Sequence, residues 1–377
     1  MKQYFSAIAT IVGTIVGAGI FALPFAFARA GLLGGFFYLL VVGGIVLVIY
    51  WLFGEVILRT RGEHRFVGYA RRYLGKRGKV AASFSTLFGF FGSLVVYLIL
   101  GGDFLRILLG GFLGGDNLLW SFVFFALGSL AIFIGLRVIS IVELLTGFLL
   151  ILVVLFLFFK SWPFLPTTDF SFTFNWPAHF LAYGVVFYSL LGSSALMEAR
   201  QMLRGREKKF KMAIFWGLAI PVAIYAVFAL AVVSVSGPKT TPDAISGLVP
   251  FLGPGVVALG AFFGVVAVFS SYIVLGVCLR KVFQFDFGFS RLNAWIIVSF
   301  VPLILFLAGA KNLLLVIGLV GIVMGGLEGV LTILIYRRAD RHGNRRPEYD
   351  VFVPKIVLWL LVAIFVLGMA YQLWMLK

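Results

Sequence analysis

The sequence predicts an all-α polytopic membrane protein of 11 transmembrane helices, arranged as a 5+5 inverted repeat plus one extra helix. Three observations predict it. The 377 residues are 62% hydrophobic and only 12% charged, with a mean hydropathy of +1.11, whereas soluble domains sit near 25% charged. Eleven apolar runs, each close to the ~20 residues that cross hydrocarbon, are separated by short polar connections. The basic residues collect on alternate sides of successive runs. With the N-terminus inside, all but six of the 31 Lys and Arg are cytoplasmic, the exceptions being Arg29, Arg106, Lys160, Lys239, Lys311 and Lys377. That skew orients the chain by the positive-inside rule: a multi-pass protein of the plasma membrane, N-terminus cytoplasmic, C-terminus outside. The net charge of +17 is thus a topological signal rather than a nucleic-acid footprint. The inside loops also meet anionic lipid headgroups of the bilayer, at about 1 kcal/mol per nearby basic residue.

The runs lie at 6–28, 34–58, 83–109, 119–136, 138–160, 176–198, 212–236, 247–279, 292–309, 312–336 and 353–376. The first follows Met1-Lys2-Gln3 directly and lacks a small-residue cleavage site, so it is expected to span rather than be removed. The third ends at Gly110-Gly111 and Gly114-Gly115, and the fifth before Pro163 and Pro166. Pro177 suits the first turn of the sixth, where its missing N–H is harmless. Gly237-Pro238, Pro242 and Gly253-Pro254-Gly255 are read as loop punctuation after the seventh, and Pro221 and Pro302 kink the seventh and ninth. The single Cys278 lies in the eighth and is expected to pack. One transmembrane domain, 1–377, is expected. It comprises repeat one at 1–160, repeat two at 175–337 and a last helix at 353–376. Five crossings is an odd number, so the second repeat enters the membrane from the opposite face.

Two spans carry matching anomalies. The first contains Gly13, Gly17 and Gly19, and each glycine costs a helix about 1 kcal/mol relative to alanine. The sixth, first of the second repeat, carries Gly192-Ser193-Ser194 near its middle. Unwound backbone at that depth is tolerated only where it lines a cavity or is buried in protein. A helix broken there presents one half-helix N-terminus to an anion and one C-terminus to a cation. The alternative at either position is close packing of small residues.

At these residues the chain resembles the amino acid permeases of the amino acid–polyamine–cation superfamily, nearest to the amino acid/auxin permease and aromatic amino acid permease branches. The likeness rests on Gly13 to Pro24, Gly68 to Gly75, Tyr97 to Asp103, the sixth-span break ending in Glu198, and Phe269-Ser270-Ser271-Tyr272. It covers the first ten spans and implies the fold of the bacterial leucine transporter. It further implies an amino acid whose carboxylate faces N–H groups of Val16, Gly17, Ala18 and Gly19. The ammonium would face carbonyls of Phe187, Tyr188 and Leu190, with the Phe187 ring as a lid. Tyr97 is expected either to donate to the carboxylate or simply to pack.

For ion coupling, the resemblance to sodium-coupled relatives implies a site at Gly13, Val16, Ala267, Ser270 and Ser271. Sodium is a hard cation that takes oxygen ligands. Some proton-coupled relatives place a lysine from the fifth span there. That span has none between Ile139 and Phe159, which favours sodium over a proton. Alternatively, Ser270 and Ser271 bond back to carbonyls one turn earlier. Sodium is a transported ion here, and no cofactor is expected.

Five acids lie within spans, where ionisable groups are costly and functional by default. Glu55, Glu143 and Glu198 lie near Arg59, Arg137 and Arg200, so inner-gate or helix-end salt bridges are expected. Asp103 has Arg106 one turn on and is expected to pair with it, or else to be a coupling carboxylate. Glu328, among Gly325, Gly326 and Gly329, has no local partner. An embedded enzyme is disfavoured: His64 and His342 fall in inside loops and His179 at the outer start of the sixth span, giving no nucleophile–base pair or metal spacing. A channel lacks its filter, and a non-transporting sensor lacks a soluble regulatory extension. The expected protein is an amino acid importer working by alternating access, as a symporter or exchanger. Its partners are an amino acid, Na+ or H+ and the bilayer, with no nucleic acid, and it is a monomer or weak oligomer.

Overall fold

The computed structural model describes residues 1–135, 139–285 and 287–374, with backbone alone at 2 and 139–146. The described chain is helical throughout, without strands. The first span is two helices, α1 (Lys2–Ile15) and α2 (Gly19–Ala30), bent by 61°. Then come α3 (Leu32–Arg59), α4 (Phe66–Leu113), α5 (Asn117–Ile134) and α6 (Ile139–Ser161). The sixth span is again two helices, α7 (Trp176–Ser189) and α8 (Ser194–Met202). They are followed by α9 (Phe210–Ser236), α10 (Val249–Phe285) and α11 (Arg291–Leu307). The tenth span consists of α12 (Leu313–Val320), a π-helical stretch Gly321–Gly325, and α13 (Gly326–His342); α14 (Lys355–Trp374) ends the described chain.

Among the described residues, nine helices are long and apolar enough to cross a membrane and the bent α1–α2 pair makes a tenth. The 17-residue α11 stands where the ninth span was expected. The protein is a multi-span membrane protein. Caps follow local chemistry: Asp116 accepts from the Leu119 N–H at the start of α5, Ser290 from Asn293 at α11, and Asn312 from Leu315 at α12. Pro177 occupies the first turn of α7, as expected.

Two connections differ from expectation. The basic stretch expected as a loop over 59–79 is helical from Phe66 on, bent at Gly75 (φ 72°) inside α4. A similar left-handed Gly253 (φ 80°) precedes Pro254 inside α10. Both bends fall on glycine because only glycine takes this φ without strain.

The packing places the two broken spans antiparallel. The first half of span one, α1, packs on the second half of span six, α8, while α2 packs on α7. Two antiparallel helices broken at their middles therefore bring their breaks to one depth. Small residues let the backbones close: a Cβ on Gly19 would sit 2.7 Å from Cα of Ser189, and one on Gly192 would sit 2.5 Å from Cγ1 of Ile15.

At the face carrying the basic connections, Glu55 is fully buried and bonds Arg59 Nε at 2.7 Å and the Val351 N–H at 2.6 Å. Arg59 also reaches Asp340 and Asp350. The expected Glu55–Arg59 pair is present. The exposed Glu198 makes no ion pair among the described residues, so the pairing expected near Arg200 is corrected. Glu143 and Arg137 lie outside the described side chains.

Candidate substrate and ion sites

In the first break, Val16 is extended (φ −76°, ψ 91°) and its N–H bonds Val12 O at 2.8 Å. That N–H closes the end of α1, so the expectation that it faces a carboxylate is corrected. The Gly17 N–H interacts with the Tyr225 hydroxyl. For the N–H groups of Ala18 and Gly19 no protein acceptor is found among the described residues, as expected of a helix start. Glycine at 17 leaves the approach bare, the Tyr97 hydroxyl lying 4.0 Å from where a Cβ would stand. Tyr97 thus sits beside the break. The end of α2 that would meet an anion carries the positive dipole.

In the second break, Leu190 to Ser193 leave the helix. The three carbonyls expected to face an ammonium each hold one hydrogen bond. Phe187 O accepts from Leu190 N, Tyr188 O accepts from Leu191 N (3.2 Å each), and Leu190 O accepts from the Tyr50 hydroxyl at 2.8 Å. Each keeps a second lone pair. The Tyr188 hydroxyl faces Ser93 of α4. Phe187 departs from expectation: its ring stacks on Phe365 of α14 (5.6 Å, 10°) and meets Gly325, facing spans ten and eleven rather than the break. A lid role for Phe187 is corrected accordingly. Next to the break stands a different aromatic group, Phe21 of α2 with Phe104 of α4 (4.8 Å) and Phe228 of α9 (6.1 Å).

Two tyrosines, which sequence reading missed, splint the breaks. Tyr225 of α9, fully buried, donates to Ile15 O (2.7 Å) and is also 2.9 Å from Ser189 O, so one hydroxyl ties the last carbonyl of α1 to the last of α7. Tyr50 of α3 holds Leu190 O and interacts with the backbone of Gly192. One comes from span two and the other from span seven, the second span of each expected repeat. Their shared placement is the signal that would have found them.

The five residues expected to hold sodium come together. Gly13, Val16, Ala267, Ser270 and Ser271 line one cavity of about 20 Å³, closed by Gly147 and Leu150 of α6. Such a volume suits a single water or small ion. Ser270 donates to Ala267 O at 3.0 Å, the back-bond considered above. The fifth span presents a glycine, not a lysine, at this point.

Asp103 does not pair directly with Arg106. Asn117 stands between them, donating to Asp103 Oδ1 at 2.6 Å and accepting from Arg106. The expected i,i+3 pair is corrected to a relay. Separate from the breaks, a cavity of about 460 Å³ at the basic face is lined by Arg61, Glu63, Arg200, Arg204, Glu207 and Arg345. Among the described residues no cluster of His, Cys, Asp and Glu is arranged to hold a metal.

The fold is shared with solved transporters. MhsT in complex with L-phenylalanine superposes with a TM-score of 0.64 at 16% identity, covering 98% of this chain and 97% of that one. Mhp1, a nucleobase-cation-symport-1 family transporter in a closed conformation with bromovinylhydantoin bound, gives 0.66 at 15% identity, covering 99% and 90%. The fold is therefore the leucine-transporter fold. A 99-residue stretch is 32% identical to vacuolar amino acid transporter 2 of Saccharomyces cerevisiae; it spans 26% of this chain and about a fifth (20%) of that protein's length. The family model of the tryptophan/tyrosine permeases matches residues 1–372. By that match over nearly its whole length, the chain is a permease rather than an enzyme and belongs to the tryptophan/tyrosine permease family.

Proposed function

We propose that this permease imports an aromatic amino acid across the plasma membrane, N-terminus cytoplasmic, coupled to sodium. The observation that carries the reading is the meeting of the two breaks, where the open N–H groups of Ala18 and Gly19 stand beside a second set of helix-terminal carbonyls. The substrate carboxylate lies on the α2 N-terminus with the Tyr97 hydroxyl beside it. The ammonium uses the second lone pairs of the span-six carbonyls. The aromatic side chain lies among Phe21, Phe104 and Tyr188, a preference in line with the family description and with the phenylalanine bound by MhsT.

Sodium enters the cavity lined by Gly13, Val16, Ala267, Ser270 and Ser271 and bridges spans one and eight. It thereby stabilises the outward-facing arrangement, in which those spans are together. Spans 1, 2, 6 and 7 rock against 3, 4, 8 and 9 around the fixed site. In proteoliposomes, a labelled amino acid panel under separately imposed sodium and pH gradients tests the reading. Uptake of tryptophan, tyrosine or phenylalanine supports it, and indifference to every amino acid overturns it. Ser271→Ala is expected to abolish sodium stimulation while leaving the protein folded. A variant whose sodium dependence is unchanged removes this ion site.

A further inference from the structure

Glu328 is 7% exposed, near the middle of the tenth span, and belongs to none of the sites above. Its surroundings are specific. The π-helical stretch before it packs on α7 just ahead of the second break: a Cβ on Gly321 would lie 2.3 Å from Gly184 O and 2.8 Å from Tyr188 N. π-Helical turns recur at functional sites. Here the contact locks span ten to span six through bare backbone. One turn further, the Glu328 carboxyl faces the Ser193 hydroxyl of the unwound linker, and the Leu191 side chain of that linker lies 3.2 Å from where a Cβ on Gly325 would stand. The titratable group facing it is Tyr50 of α3, whose hydroxyl is committed to Leu190 O in the same linker. From α14 the residues packed on this turn are Phe365 against Gly329 and Met369 against Gly326. From α4, Ser85 bonds Met324 O one turn earlier. Glu55 and Arg338 stand toward the basic ends of α3 and α13, engaged with Arg59 and with Tyr73 O. Among the described residues no cation pairs with Glu328.

A carboxylate buried with one hydroxyl donor and no cation is unstable; an ionised group in that position neutralises instead. The linker that covers it is a segment that must move if the substrate site opens. We infer that Glu328 is the proton-binding group of this transporter, holding a proton while Ser193 covers it and releasing it to water when residues 190–193 move away. The step is simple protonation: a carboxylate takes H+ from water on one side of the membrane and returns it on the other. The inference rests on the transport reading, adds a proton to it, and is independent of the sodium cavity.

The test uses the full-length protein in proteoliposomes. In the wild type, adding the substrate under a pH gradient without sodium is expected to move protons, read by an entrapped pH-sensitive dye. Glu328→Gln, a permanently neutral side chain, is expected to lose pH-driven accumulation by about tenfold or more, within the usual range of coupling between sites. It should keep substrate counterflow, and that counterflow should no longer respond to pH. Glu328→Asp should restore the pH response in part. Full pH-driven accumulation in Glu328→Gln overturns the inference. Wild-type protein that transports the amino acid with no proton movement also overturns it, whatever the variants do. Wild-type protein that moves no amino acid in counterflow overturns the transport reading itself, which separates the two failures.

Discussion

Uptake by Gly19→Ala protein is expected to fall to the level of protein-free vesicles. The added methyl would stand 2.6 Å from Ser189 Oγ and 2.7 Å from Ser189 Cα. A side-chain oxygen can rotate away, but a Cα moves only if the two broken spans separate. Overpacking of this kind costs about 1–3 kcal/mol, and here the displacement acts on the N–H groups of Ala18 and Gly19, the proposed carboxylate site. The matched control is Gly44→Ala in α3, where a Cβ meets nothing within 4 Å. It should transport at the wild-type rate and gain slightly in helix propensity. Wild-type uptake by Gly19→Ala would mean that the breaks do not meet at this contact in the working protein.

Tyr225→Phe is expected to lower transport efficiency by about 10–100-fold, the equivalent of about 1–3 kcal/mol for buried carbonyls left without a donor. The hydroxyl touches the ends of both α1 and α7, at 2.7 and 2.9 Å. Its removal frees Ile15 O and Ser189 O together, whereas Tyr50→Phe frees only Leu190 O and should cost less. The readout is KM and maximal rate for the best amino acid of the panel. Normal values in Tyr225→Phe would show that the splint is incidental.

Much of this architecture is legible in the sequence because hydrocarbon is an unforgiving solvent. Apolar runs, the alternation of Lys and Arg and glycine in mid-span each report a local physical demand. They locate the spans and both breaks, the unwound residues being Val16 to Ala18, around Gly17, and Leu190 to Ser193, around Gly192. What resisted reading depends on how helices are rotated. Phe187 is an aromatic residue one turn before a break, and only tertiary packing turns its ring toward Phe365. Asp103 and Arg106 have ideal spacing, yet Asn117, from the next helix, has an amide whose two ends suit both. Tyr50 and Tyr225 look like any tyrosine in an apolar run until the second spans of the two expected repeats are compared. The helical start of α4 was hidden because hydropathy registers the span and passes over a basic segment leading into it.

The central claim is that two breaks at one depth clasp a zwitterion with bare peptide groups. A structure of the protein bound to its amino acid tests it most directly. The claim predicts carboxylate oxygens at about 2.7–3.2 Å from the backbone nitrogens of Ala18 and Gly19, with the ammonium against carbonyls between Phe187 and Leu190. An amino acid held elsewhere, or spans one and six as unbroken helices, would contradict it.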